Sequence, residues 1–141
     1  MWSDKYIGLK YNFDGRTREE GINCLTLILL VFKEVFKYNP MFDDSLIKRD
    51  WHKEDPELMI KEAVKRGEVI KSVDELRAND IVFFTLEGDV RHMGIMVDNY
   101  NNFLHQLANY TSRLDKISKQ VWKDKFFCGI RIKELHGQQS V

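Results

Sequence analysis

The first sustained apolar stretch of the chain lies in "EEGINCLTLILLVFKEVFKYNP", Glu19 to Pro40. Leu25, Ile28, Leu29, Phe32 and Phe36 recur at helical spacing while Lys33, Glu34 and Lys37 mark a wetter face, which predicts a helix from about Cys24 to Lys37. Asn39-Pro40 ends it, because proline disfavours helical geometry in the residue before it. A second helix is predicted by Asp55 as N-cap, Pro56 at the first helical position, apolar Leu58, Met59, Ala63 and Val64, and Gly67 just past the end. Between the two lies the segment from Met41 to Glu54, with room for a short helix near Asp44 to Asp50.

After "ELRAND" the period changes to two. The runs "IVFFTLEG", "RHMGIMVD", "NNFLHQLA" and "FFCGIRIKE" are separated by turn formers and predict strands. Gaps of hairpin length are too short for parallel crossovers, so the sheet is expected to be antiparallel. "SRLDKIS" fits a further strand, "KQVWKDK" a short turn of helix, and the tail "LHGQQSV" a frayed end. Helices followed by strands make the fold class α+β, N-terminal helices packed on a C-terminal antiparallel sheet.

Composition narrows the partners. A chain of 141 residues fits one domain, residues 1–141, and 43% hydrophobic residues can close one core. The 22 basic and 22 acidic residues balance and intersperse, as in "KRDWHKEDPE", so neither nucleic acid nor an anionic membrane is an expected partner. The start "MWSDKYIGLK" lacks the basic and apolar regions of a signal peptide, and Leu25 to Phe32 is far short of the roughly 18–20 residues that cross a bilayer. Synthesis in the cytoplasm is the expectation, where the two cysteines need not pair.

Each thiol is therefore judged by its setting. Cys24 falls in the first turn of the long helix, with Asn23 a plausible N-cap and Gly21 permitting tight approach. Free amides and the dipole at a helix start favour a thiolate and would draw the pKa down from about 8.5 toward neutrality. Taken alone, Cys24 reads more readily as a small buried residue than as a reactive thiol. In "VRHMGIMVD" alternation puts His92, Gly94, Met96 and Asp98 on one face and Met93, Ile95 and Val97 on the other. Gly94 beside His92 suggests that something approaches closely there.

His105 follows in "NNFLHQLA", across the turn "DNYNN". In a hairpin the two imidazoles project from one face as neighbours or diagonal neighbours, so that one can orient the other. A cysteine at a helix start followed by two strand histidines forms a set of nucleophile, base and orienter. The other candidates are weaker: Cys128 lies among Phe126, Phe127 and Ile130 as core, His52 reads as loop surface, and His136 belongs to the tail. No paired Cys or close His spacing supports zinc on Cys24, His92 and His105, and no cofactor motif is present. Trp2, Trp51 and Trp122 fit either a groove or a core.

These residues resemble the NlpC-type cell-wall cysteine peptidases over most of the chain. "YIGLKYNFDGRTREEGINCLTLILLVFKEV" is similar to that family's aromatic loop, Asp-Cys-Ser-Gly motif and nucleophile helix, and "ELRANDIVFF" to its Pro-Gly-Asp-Leu-Val-Phe-Phe strand. "RHMGIMVDNYNNFLHQ" is similar to its His-Val-Gly-Ile hairpin ending in Ile-His-Ala. The resemblance implies a papain-like fold and a Cys-His-His triad of Cys24, His92 and His105, with Tyr11 as an active-site tyrosine. It implies hydrolysis of an amide bond in peptidoglycan stem peptides, without a cofactor. "WSDKYIGLKYNFDGRTREEGINCLTL" looks closest to single-domain members associated with phage tails, which implies tail proteins as partners and action at the cell wall. Asn23 stands where the family has Asp, Leu25-Thr26 where it has Ser-Gly or Trp-Gly, and Asn79 where it has a turn glycine. Those changes motivate a second class, a structural or wall-binding module with an unused site.

Overall fold

The computed structural model describes residues 1–41, 55–99 and 101–135. A 3-10 turn, Trp2–Tyr6, precedes a two-stranded hairpin of β1, Arg16–Thr17, and β2, Gly21–Ile22, which feeds helix α1, Cys24–Glu34. Helix α2 is Leu58–Val64. The strands that follow are β3, Glu68–Ile70; β4, Ile81–Leu86; β5, Asp89–Met96; β6, Asn102–His105; β7, Arg113–Lys116; then helix α3, Gln120–Lys125, and β8, Phe126–Arg131. Strands β3 to β8 form one sheet in the order β3-β8-β4-β5-β6-β7, antiparallel at every pairing. The architecture is the α+β arrangement that the periodicities predict.

Helix α1 stops at Glu34, three residues short of Lys37, because Lys37 takes a positive φ of 52° and the Tyr38 amide turns back to the Phe32 carbonyl. Helix α2 starts later than Asp55-Pro56 predicts. Asp55 accepts the Glu57 amide at 3.3 Å and pairs with Lys61, holding the turn just ahead of the first helical residue rather than capping it directly. Strands β1, β2 and β3 and the 3-10 turns have no counterpart in the sequence reading. The predicted short helix near Asp44 to Asp50 lies outside the described residues, as does the tail from residue 136. Leu135, which opens the predicted frayed segment, is fully buried, and its carbonyl accepts the Asn79 side chain.

The sheet has an apolar layer on each face. On one, Ile81, Phe83, Met93, Ile95, Leu104 and Ile130 pack with Leu25, Leu27, Ile28, Val31 and Phe32 of α1 and with Met59 and Ile60 of α2. On the other, Val82, Phe84, Met96 and Phe103 pack with Ile117 and Trp122. Period-two alternation makes this division, with Met93 and Ile95 facing one layer and Met96 the other. Cys128 belongs to the α1 layer, where burial pushes its thiol up to about 11, so it is a core residue as its neighbours predict. Trp2 packs edge-on against Tyr6 and Phe36, a core role.

Two ends of the frame position the site. Asp98 closes the β5–β6 turn by accepting the Asn101 and Asn102 amides at 2.9 and 3.1 Å, which fixes the register in which Gly94 opposes His105. At the start of β4, Asn79 adopts a φ of 75°, the left-handed geometry asparagine tolerates, and Asp80 holds a two-point ion pair with Arg131 of β8.

Candidate active site

Cys24 is the first residue of α1, and the local sequence fixes that start. The Asn23 Oδ1 accepts the Thr26 amide at 2.8 Å, and the Thr26 hydroxyl accepts the Asn23 amide at 2.8 Å, a reciprocal capping box. Asn23 Nδ2 also donates to the Phe13 carbonyl, tying the preceding loop to the helix. Gly21 allows the entry, since its φ is 96° and a Cβ there would lie 2.9 Å from Asn12 Cβ. The three residues flanking Cys24 thus have structural occupations: Asn23 and Thr26 build the cap, and Leu25 is buried in the α1 layer.

The sheet supplies the rest. Val97 donates to Asn102 on the β6 side, and alternation turns the amides of Ile95 and Met93 the same way. Pairing with β6 ends where Gly94 faces His105, so the Met93 amide has lost its strand partner and reaches Cys24 instead. The thiol is thereby held beside the residue that follows His92, although no hydrogen bond joins Cys24 to His92 among the described residues.

His92 and His105 are diagonal neighbours on β5 and β6, both buried, at 4% and 0% exposure. His92 Nε2 lies 2.8 Å from His105 Nδ1. Gly94 makes this approach possible: a Cβ there would lie 2.8 Å from the Leu104 carbonyl and 3.2 Å from His105 Cβ. Two residues that the sequence reading did not single out for chemistry complete the cluster. Asp115 on β7 accepts from His105 Nε2 at 2.9 Å, while Arg113 Nε and Lys119 Nζ hold its two oxygens at 3.0 and 2.8 Å. Trp122 of α3 lies against both imidazoles, nearly parallel to His92 at 5.8 Å and edge-on to His105 at 4.9 Å.

The charges of the site differ from the sequence expectation. A helix start was expected to lower the Cys24 thiol toward neutrality. Burial of the sulfur instead pushes it up to about 11, outweighing the backbone amides of Met93, Leu25 and Cys24 that favour the anion. Desolvation lowers His92, and the neighbouring His105 lowers it further. Desolvation likewise lowers His105; Asp115 opposes it, but Arg113 and Lys119 add to the fall. Desolvation works against the Asp115 carboxylate, yet its hydrogen bonds from Lys119 and His105 and the charge of Arg113 hold it below the ordinary carboxylate range. The resting site is a neutral thiol, two neutral imidazoles and one ionised carboxylate. Tyr11, bridged to Ile22 of β2, is raised above its ordinary value by burial, then by Cys24 and Asp14, so its hydroxyl stays protonated.

The structure therefore places Cys24, at the start of α1, against the Met93 amide of β5 and near Tyr11, with His92 next to Met93 in the chain and joined to His105. Trp122 joins the base of this cluster; Cys128 does not, and His52, Trp51 and His136 lie outside the described residues. Among the described residues no group of three or more His, Cys, Asp or Glu side chains is arranged to hold a metal ion. Nor is any helix among them long and apolar enough to cross a membrane.

Residues 8–131 match the NlpC/P60 family. The chain belongs to that family. Its fold is similar to the NlpC/P60 domain of the peptidoglycan hydrolase SagA, with a TM-score of 0.61 at 16% identity over 92% of each chain. It is also similar to an NLP/P60 family lipoprotein-like protein from Staphylococcus aureus, TM-score 0.56 at 20% identity over 91% of this chain. A third similar structure is an NlpC/P60 family protein from Bacillus cereus, TM-score 0.61 at 16% identity over 92% of this chain. The match spans only 38% and 37% of those last two proteins. No curated protein matches the sequence. At these identities the likeness is one of fold, the papain-like α+β arrangement of NlpC/P60 domains.

Proposed function

We propose that this NlpC/P60 protein is a cysteine peptidase that hydrolyses an amide bond in peptidoglycan stem peptides. The observation that carries the reading is that the amide of Met93, the residue next to His92, reaches Cys24 at the capped start of α1, while His92 itself is buried with its Nε2 2.8 Å from His105 Nδ1. Membership of the family and the fold shared with a peptidoglycan hydrolase domain support the substrate class.

Cys24 Sγ attacks the scissile carbonyl carbon as its proton passes to His92, and the thiol begins neutral, so proton transfer accompanies attack. His105 holds the His92 ring. The Cys24 amide, at the first helical position, and the protonated Tyr11 hydroxyl receive the developing oxyanion. His92 returns the proton to the leaving amine, and water, deprotonated by the same imidazole, releases the acyl group from sulfur. Trp122 covers one side of the imidazoles and keeps bulk water from competing for their nitrogens.

The alternative, a structural or wall-binding module, draws its support from Asn23, Leu25 and Thr26, and an association with phage tails rests on the wording of the first 27 residues alone. Purified peptidoglycan and defined stem peptides, incubated with the protein and with Cys24→Ala and analysed by fragment mass, separate the readings. The peptidase releases fragments with new amino and carboxyl ends that Cys24→Ala does not. Binding to the wall without release by either form would establish the module.

A further inference from the structure

We infer that Asp115 is a positioning residue that fixes the tautomers of both imidazoles through a directed chain, Asp115–His105–His92, leaving Nδ1 of His92 as the free basic nitrogen. The inference names a residue beyond the Cys-His-His set and rests on the proposed peptidase for its catalytic consequence, though not for its structural one.

The chain follows from donor counting. Asp115, ionised and held by Arg113 and Lys119, has only lone pairs to offer, so the 2.9 Å contact requires a proton on His105 Nε2. A neutral imidazole carries one N–H, so His105 Nδ1 is bare. The 2.8 Å contact between the rings then requires the proton of His92 to lie on Nε2, pointing at His105. His92 Nδ1 keeps its lone pair. Among the described residues no hydrogen bond reaches this nitrogen, and it is the atom that can accept the proton of Cys24.

Arg113 and Lys119 give this arrangement its direction. With both cations on its oxygens, Asp115 contributes little net negative charge to the histidines, so it orders their protons without charging them. Without the carboxylate, those cations face His105 Nε2 directly and favour a lone pair there. The proton of His105 would move to Nδ1 and donate to His92 Nε2, and the proton of His92 would be forced onto Nδ1, which disables the base. Loss of one carboxylate at β7 thus reverses two tautomers and blocks an atom two residues away in the chain of contacts. The logic matches that of a carboxylate orienting a catalytic histidine, extended by one ring.

The test is histidine nitrogen NMR on the full-length protein, with Asp115→Leu as the variant, together with steady-state hydrolysis of a stem peptide. The wild-type protein is expected to show a pyridine-type Nδ1 and a pyrrole-type Nε2 at both His92 and His105. In Asp115→Leu both assignments should reverse, while kcat falls about 100-fold or more and KM stays within about twofold. A protonated Nδ1 at His92 in the wild type, or unchanged tautomers in a folded Asp115→Leu, overturns the inference. The wild-type spectrum decides the matter even if the variant does not fold. Expected tautomers in a protein that hydrolyses nothing would uphold the chain and remove the peptidase reading; contrary tautomers in an active enzyme would do the reverse.

Discussion

Acidification should destabilise this protein well above the pH at which its carboxylates are protonated. His92 and His105 are neutral and buried in the native state, at 4% and 0% exposure, and both are depressed below their ordinary pKa, chiefly by desolvation. In the unfolded chain each titrates near its ordinary value of about 6.5. Below that pH the unfolded state binds two protons that the native state refuses, so unfolding gains free energy as pH falls. Each imidazole contributes about 1.4 kcal/mol per pH unit once the unfolded form is fully protonated. From pH 7 to pH 5 the pair costs about 4 kcal/mol, a large share of the roughly 5–15 kcal/mol that stabilises an ordinary domain. Urea unfolding measures it: with a slope of about 2 kcal/mol/M the midpoint should fall by about 2 M between those pH values. The control is the double variant His92→Asn, His105→Gln, which keeps a donor and an acceptor at the second position but removes both titrations. His52 and His136 are common to both proteins and cancel in the difference. A wild-type midpoint that is flat between pH 7 and pH 5, or an equal fall in the double variant, would refute buried neutral imidazoles.

Three further outcomes follow from particular contacts. Alkylation of Cys24 by iodoacetamide should be slow at neutral pH and still rising above pH 9, because burial raises the thiol to about 11; a rate that levels off near pH 7 would mean a resting thiolate. Asn23→Ala removes both the cap to the Thr26 amide and the bond to the Phe13 carbonyl, and should lower unfolding free energy by about 1–2 kcal/mol in chemical denaturation. Gly94→Ala places a Cβ 2.8 Å from the Leu104 carbonyl, so β6 must move; a loss of about 2 kcal/mol and of most hydrolytic activity is expected, and unchanged activity would show that the His92–His105 spacing is not critical.

The frame was legible where the pattern was long and one-sided. Eleven residues of α1 carry a helical stripe, and β4, β5, β6 and β8 alternate clearly because each face meets its own apolar layer. Strands β1, β2 and β3 have two or three residues, too few for a period to appear, and Val69 of β3 is exposed where a core strand would bury it. The order Cys24, His92, His105 was readable because helix start and hairpin register fix where those side chains emerge. Asp115 was hidden among Arg113, Lys116 and Lys119, which read as solvated surface. Its burial comes from pairing opposite Phe103, which turns it to the same face as His105. Trp122 was open between groove and core for the same reason: only the packing of α3 under β5 and β6 decides it. The thiol failed in the instructive direction, since the sequence displays the helix start that lowers its pKa but not the desolvation that wins.

The central claim is that Cys24 carries the acyl group, and trapping that intermediate tests it most directly. The protein should be quenched in acid during turnover of a defined stem peptide, weighed intact, and the modified residue located by peptide mapping. The account predicts a mass gain equal to the acyl half of the substrate, mapped to Cys24 and absent in Cys24→Ala. Undiminished hydrolysis by Cys24→Ala, or an acyl group mapped to another residue, would contradict it.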